Sequence, residues 1–140
     1  MTSKPKLPRG MLADFLAGYA RKVSRAELAV EREAFGTNAG ITSYTTPAQA
    51  ERLADVLQLR AGLRVLDVGA GAGWPGLFIA EKSGCEVVLT DVPVAGLRHA
   101  VAGAQRRGIA QSCGFAAASG THLPFRSRTF DAVVHADVLC

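Results

Sequence analysis

Aromatic residues are scarce in this 140-residue chain, where one Trp, two Tyr and six Phe make up 6% of the sequence. The basic residues that give a net charge of +4 gather mainly near the start, at Lys4, Lys6, Arg9, Arg21, Lys22 and Arg25. They do not alternate with aromatics, so the pattern of a nucleic-acid surface that stacks bases between cations is missing, and nucleic acid is not an expected partner. Cysteine is as sparse. Cys85, Cys113 and Cys140 form an odd count with no CxxC spacing and no histidine at ligand distance. Neither a disulfide framework nor a zinc site is indicated, and the expected setting is reducing and cytoplasmic. There is no apolar run long enough to span a bilayer, so no membrane role is expected. The basic start followed by Met11 to Ala20 has the outline of a signal peptide, but Asp14 interrupts the apolar stretch and no small-residue cleavage site follows.

What is present fits one globular unit with 49% hydrophobic and 20% charged residues. A domain near this size buries roughly 70% of the surface its unfolded chain exposes, enough for a real core. Residues 1 to 10 read as a mobile tail. Leu12, Phe15, Leu16 and Tyr19 then recur at helical spacing on one face. A second helix is announced by Ser24 and Glu27 as a capping box and stops near Gly36. Gly40 to Thr46 reads as a loop. Thr46, Pro47 and Gln49 open a third helix, whose buried stripe is Ala50, Leu53, Ala54, Val56 and Leu57 and which ends at Arg60 to Gly62.

From Leu63 the pattern alternates. Leu63 to Val68 is a strand, Trp74 to Lys82 a helix, Cys85 to Thr90 a strand and Pro93 to Arg107 a helix. A weaker strand lies near Phe115 to Ala118, and another runs from Phe130 to His135. Such alternation predicts an α/β fold: a Rossmann-like, doubly wound, mainly parallel sheet with N-terminal helices. The expected division is 1–39 as tail and helical extension and 40–140 as the sheet domain.

The first strand runs into glycines at Gly69, Gly71 and Gly73, where a doubly wound sheet binds its ligand. One glycine is enough for a bare strand-to-helix turn; three argue for a backbone that a ligand approaches closely. Two cofactors compete. Gly71, Gly73 and Gly76 spell GxGxxG with Asp91 some twenty residues on, the letters of a dinucleotide site. Yet the array starts directly at the strand end, and Pro75 removes a donor where a helix would meet a pyrophosphate. Asp67, at the end of the strand, would repel a pyrophosphate and attract a cationic amino-acid moiety.

In VLDVGAGAGWPG, in LTDVP after the second strand and in LPFRSRTFDAVVHADVL around the fourth, the chain resembles the class I S-adenosylmethionine-dependent methyltransferases, particularly the type 11 group acting on small molecules. The resemblance covers roughly residues 40 to 140. It implies S-adenosylmethionine as cofactor and a small-molecule methyl acceptor as partner. Asp67, Gly69, Gly71 and Gly73 would face the methionyl end. Asp91, with Val92 beside it, would take the ribose; the alternative for Asp91 is a helix cap ahead of Pro93. Many family members carry an acid before Leu123-Pro124-Phe125 for the adenine amino group, and Ser119 stands there in this chain, leaving Ser119, Gly120 and Thr121 to read the ring. Leu123 and Phe125 cover that ring or pack the core.

In-line methyl transfer can rest largely on positioning. If a base acts, His135 and Asp137 are the candidates, each with a structural alternative: a histidine bonded within the sheet edge and a cap for the next helix. Trp74 and Tyr44 line the pocket or pack, His99 and His122 lie on the surface or in loops, and Arg126 and Arg128 are solvated. Relatives continue through three further strands, so the chain reads as an N-terminal portion whose fourth strand is an open edge suited to self-association. Two rival functions stay on the table: a cofactor-binding module without turnover, and a nicotinamide-dependent oxidoreductase.

Overall fold

Both capping boxes form. The structure, a computed structural model, describes residues 9–138. Its first helix, α1, is Arg9–Ala20, and α2 is Arg25–Phe35. In α2 the Ser24 hydroxyl accepts from the Glu27 N–H at 3.2 Å while Glu27 accepts from the Ser24 N–H at 2.7 Å. Gly36 ends that helix in the left-handed region at φ 69°. Helix α3, Pro47–Val56, repeats the device with Thr46 and Gln49. The expected face of α1 is only partly open to inspection. Leu16 is exposed and Tyr19 half-buried, while the side chains of Leu12 and Phe15 lie outside the described residues, as do residues 1–8 of the expected tail.

Helix α3 ends earlier than the sequence suggests. Its last carbonyls are taken by Gln58 and Leu59, bonded back to Asp55 and Ala54, with Gln58 in the left-handed region at φ 51°. A glutamine rarely marks that conformation, so the stop was invisible in the letters. Val56, expected in the buried stripe, is 67% exposed, whereas Ala50 is fully buried.

Four parallel strands follow: β1 is Arg64–Val68, β2 Glu86–Asp91, β3 Cys113–Ala117 and β4 Ala132–Val134. Their order is β3-β2-β1-β4. Between them lie α4, Gly76–Ser83, and α5, Val94–Arg106, with a short 3₁₀ turn at Ala110–Ser112. Helix α4 begins two residues later than expected because a turn, closed by Gly73 N–H to Ala70 O at 2.7 Å, occupies the residues before it. Register places Asp67 opposite Leu89 on one side and Val134 on the other.

Val65, Val87 and Leu89, all fully buried, join Val134 as buried core residues of the sheet, against Leu77, Ile79, Leu97, Ala100 and Ala104 from α4 and α5. A second cluster joins Ala39, Ala50, Trp74 and Phe78, so Trp74 is a core residue that ties α3 to the glycine turn. Among the described residues β4 pairs only with β1, and Val133 is 58% exposed. Cys85 is buried and Cys113 half-buried, and burial pushes the Cys113 thiol up to about 11. Cys140 lies outside the described residues.

Candidate functional site

The carboxyl ends of β1, β2 and β4 meet where the chain turns through glycine. Gly69, Gly71 and Gly73 all take positive φ, at 75°, 53° and 107°. The turn hangs from β2 by two bonds into one carbonyl, Thr90 O accepting from Gly69 N–H at 2.8 Å and from Ala70 N–H at 3.0 Å. Asp91 then fixes its crest. One carboxylate oxygen accepts from the Gly71 N–H and the other from the Val92 N–H, each at 2.7 Å. Each oxygen keeps a second lone-pair direction, so the carboxylate can still receive hydroxyl donors. Asp91 is not the cap of α5: Pro93 occupies that position and no side chain caps the helix.

Asp67 sits beneath this turn and is fully buried. One oxygen accepts from the Gly76 N–H at 3.0 Å, at the very start of α4, and the other, Oδ1, has no partner among the described residues. Burial pushes its pKa up to about 7, against the opposing pull of the Gly76 bond. The structure places it under the backbone, serving the helix start, with one oxygen spare.

The residues expected to read the adenine gather just beyond β3. Ser119 bridges to His122, its hydroxyl lies 2.9 Å from that of Thr121, and the Thr121 hydroxyl meets His122 Nδ1 at 2.9 Å. The whole turn is anchored by Ala118 N–H to Asp91 O at 3.0 Å. Ser119, Gly120 and Thr121 are therefore held beside Asp91 by main chain. Phe125 packs edge-on against Phe130 with ring centres 5.0 Å apart, which gives it a packing partner independent of any ligand. Arg126 and Arg128 are exposed.

At the end of β4 the two candidate bases part company. His135 is exposed. Asp137 takes the left-handed region at φ 56° and accepts at Oδ2 from the Tyr44 N–H at 3.0 Å and the Thr45 hydroxyl at 3.4 Å. Hydrogen bonds from Ser43, Tyr44 and Thr45 hold its carboxyl below the usual carboxylate range. Through these bonds it caps the loop before α3. The same loop is pinned from the other side, where Trp74 Nε1 donates to Thr45 O at 2.9 Å. Tyr44 itself is left 91% exposed. Two contacts that the sequence did not reveal complete the turn: Val138 lies against Gly69, and Tyr19 of α1 lies against Gly71.

A buried acid with one unpartnered oxygen, a glycine crest and a carboxylate at the tip of β2 suit a nucleoside with a cationic amino-acid tail better than a pyrophosphate. The model of the methyltransferase domain family matches residues 65–140, more than half of the chain. The chain belongs to the class I S-adenosylmethionine-dependent methyltransferases. S-adenosylmethionine is accordingly its cofactor, and the nicotinamide reading of GxGxxG falls. Among curated relatives, the chain is similar to 24-methylenesterol C-methyltransferase 2 of Oryza sativa subsp. japonica, 33% identical over 68% of this chain and 26% of the relative. Squalene methyltransferase 1 of Botryococcus braunii is 33% identical over 64% of this chain and 24% of the relative. The chain thus spans about a quarter of the length of these proteins. Among solved structures, a methyltransferase from Thiobacillus denitrificans with S-adenosyl-L-homocysteine superposes with a TM-score of 0.61 at 23% identity, over 82% of this chain and 44% of the other, which supports the fold. The [4+2]-cyclase SpnF superposes at 0.59 with 28% identity, over 62% and 32%. Among the described residues no helix is long and apolar enough to cross a membrane, and no three His, Cys, Asp or Glu are grouped to hold a metal.

Proposed function

We propose that this methyltransferase acts on a small acceptor with a large apolar portion. The observation that carries the reading is a shallow trough of about 500 Å³ between α2 and the loop before α3, where Val30, Phe35, Ile41 and Tyr44 line the wall together with Glu27, Glu31 and Ser43. Helix α2 has no buried residue, and it leaves Val30 65% and Phe35 42% exposed. Apolar side chains held in the open are suited to an apolar ligand. The sterol and squalene methyltransferases among the relatives support the same class. On this reading residues 40–140 carry the cofactor and residues 1–39 help form the acceptor side.

S-adenosylmethionine, when bound, supplies a methyl on a sulfonium for in-line displacement. The chain's own contribution is positioning. Asp91 offers its remaining lone pairs to the ribose hydroxyls while it keeps the glycine crest in shape, and Ser119 to Thr121 lie beside it for the ring. Asp67 offers its spare oxygen to the cationic tail. Asp137 is committed to holding Tyr44 and Thr45, so its role is to shape the acceptor side. His135, exposed past β4, is the group left for any proton the acceptor must lose.

The likeness to a cyclase means that binding alone does not establish transfer. The test is therefore incubation of the chain with methyl-labelled S-adenosylmethionine and three acceptors: a sterol, a linear polyene and a polar phenol. Label in the sterol or polyene and not in the phenol is the expected result. Label in the phenol alone overturns the apolar acceptor. S-adenosylhomocysteine binding with no transfer to any of the three favours a module without turnover.

A further inference from the structure

Helix α1 reaches into the glycine turn through one side chain. A Cβ placed on Gly71 would lie 2.9 Å from the Tyr19 ring at Cε1 and 3.2 Å from its hydroxyl. A Cβ on Gly96, in the first turn of α5, would lie 2.9 Å from the same ring at Cδ1 and 2.9 Å from the carbonyl of Gly71. The ring therefore occupies the space that two missing side chains provide. Gly71 is also the residue whose N–H Asp91 holds. Tyr19 is half-buried, and α1 is packed on α5 rather than loose. An aromatic residue some fifty positions upstream of the glycines is thus seated on the crest of the cofactor turn, next to the acid at the tip of β2.

We propose that Tyr19 is a cofactor-contacting residue, and that its ring and hydroxyl form the wall of the S-adenosylmethionine site facing Asp91. The proposal rests on the cofactor assignment and extends it to a helix outside the family match at residues 65–140. Two physical features fit it. A ring beside a carboxylate closes that side of the turn to water, which strengthens bonds to the acid within. The hydroxyl stays protonated at neutral pH, because burial and the neighbouring Asp91 both raise its pKa. A carboxylate on the ligand's amino-acid tail is the complementary acceptor.

The experiment is calorimetric titration of the chain with S-adenosylhomocysteine, in wild type, Tyr19→Phe, Tyr19→Ala and Asp91→Ala, with the melting temperature of each taken without ligand. The expected result is a Kd raised about fivefold or more in Tyr19→Ala, the size of one lost contact of about 1 kcal/mol. Tyr19→Phe separates the donor from the ring: weakening equal to that of Tyr19→Ala assigns the effect to the hydroxyl, and a Kd between the two assigns it to both. A Kd in Tyr19→Ala equal to wild type, while Asp91→Ala weakens binding, overturns the proposal and leaves the cofactor reading intact. Failure of the wild-type chain to bind at all overturns that reading, and the proposal with it. A lower melting temperature in Tyr19→Ala with an unchanged Kd means the ring only packs, and also overturns it. Gly96→Ala is the second perturbation, since its methyl meets the Gly71 carbonyl as well as the ring. It is expected to raise Kd with Tyr19 still present, and an unchanged Kd there counts against the proposal.

Discussion

Asp67→Asn separates two roles for the acid under the glycine turn, and pH is the variable that does it. In the folded chain Asp67 titrates at about 7, because burial penalises the charged form, whereas the unfolded group titrates near 3.8. Between those values the folded state holds a proton that the unfolded state has lost. The slope of unfolding free energy with pH is therefore negative. The contribution is fully present below about pH 4, is lost as pH rises to about 7 and is flat beyond. Three pKa units at 1.36 kcal/mol each set a ceiling of about 4 kcal/mol on the loss. An asparagine keeps an acceptor for the Gly76 N–H and does not titrate. Its buried amide costs about 1–3 kcal/mol at every pH, a constant offset. The assay is urea unfolding of both proteins from pH 4 to pH 8, read as the difference between them, which removes the opposite trends of carboxylates such as Glu27 and Asp137, whose pKa values are lowered. The difference should move by a few kcal/mol in favour of the variant as pH rises. A flat difference across that range refutes the buried, protonated Asp67. Titration with S-adenosylhomocysteine at pH 6.5 in two buffers of different ionisation enthalpy then asks whether Asp67 meets the ligand's ammonium. Proton release on binding shows that the carboxyl ionises against a cation. No release shows that it serves α4 alone.

Four further outcomes are expected. Asp91→Ala removes a charge-assisted bond to the buried Gly71 N–H as well as the ribose acceptors, so at about 1.5–3 kcal/mol per bond S-adenosylhomocysteine binding weakens at least about tenfold and the melting temperature falls; an unchanged Kd by calorimetry contradicts the site. Gly76→Ala places a methyl inside contact distance of Asp67 Oδ2 and lowers stability by about 1–3 kcal/mol in urea, a loss that Asp67→Ala in the same chain relieves in part by opening space. Trp74→Phe keeps the ring against Phe78 but loses the bond to Thr45 O, which costs about 0.5–1.5 kcal/mol and loosens the loop, seen as faster amide exchange at Thr45 and Tyr44. The outer edge of β4 drives concentration-dependent association in light scattering, and Val133→Lys suppresses it; a monodisperse wild type at all concentrations refutes that edge as an interface.

Short-range chemistry was the legible part. Ser24 with Glu27 and Thr46 with Gln49 are three residues apart, so their reciprocal bonds follow from letters alone, and both helices start where those letters put them. Strand and helix alternation after Leu63 was likewise readable, because apolar runs closed by Gly84 and Gly108 leave few other solutions. Contacts across long separations were not. The Asp137 bond to Tyr44 spans 93 residues, and the meeting of Tyr19 with Gly71 depends on how α1 crosses α5. Nothing in either neighbourhood marks its partner. Asp67 shows a subtler limit. Its place at the strand end was clear, but register across β1 decides which face it takes, and the buried face is shared with α4. An acid in a glycine motif therefore carries two messages at once, a charge and a helix start.

That double message explains why the same letters fail as a dinucleotide site. A pyrophosphate needs the first N–H groups of the following helix to be free and aimed outward. Here Gly76 N–H points inward to Asp67 and Leu77 N–H is already bonded to Gly73 O at 2.8 Å. With its first donors engaged internally, α4 has little left to offer a phosphate. What the turn presents outward instead is a bent glycine backbone with a carboxylate, Asp91, bonded to its crest. Ribose hydroxyls and a cationic tail are donors, and this turn presents acceptors. The GxGxxG spacing arises because Gly71 and Gly73 belong to the tight crest and Gly76 must clear the Asp67 carboxylate, a packing demand unrelated to phosphate. On the proposed reading the cofactor is selected by where one carboxyl points rather than by the number of glycines.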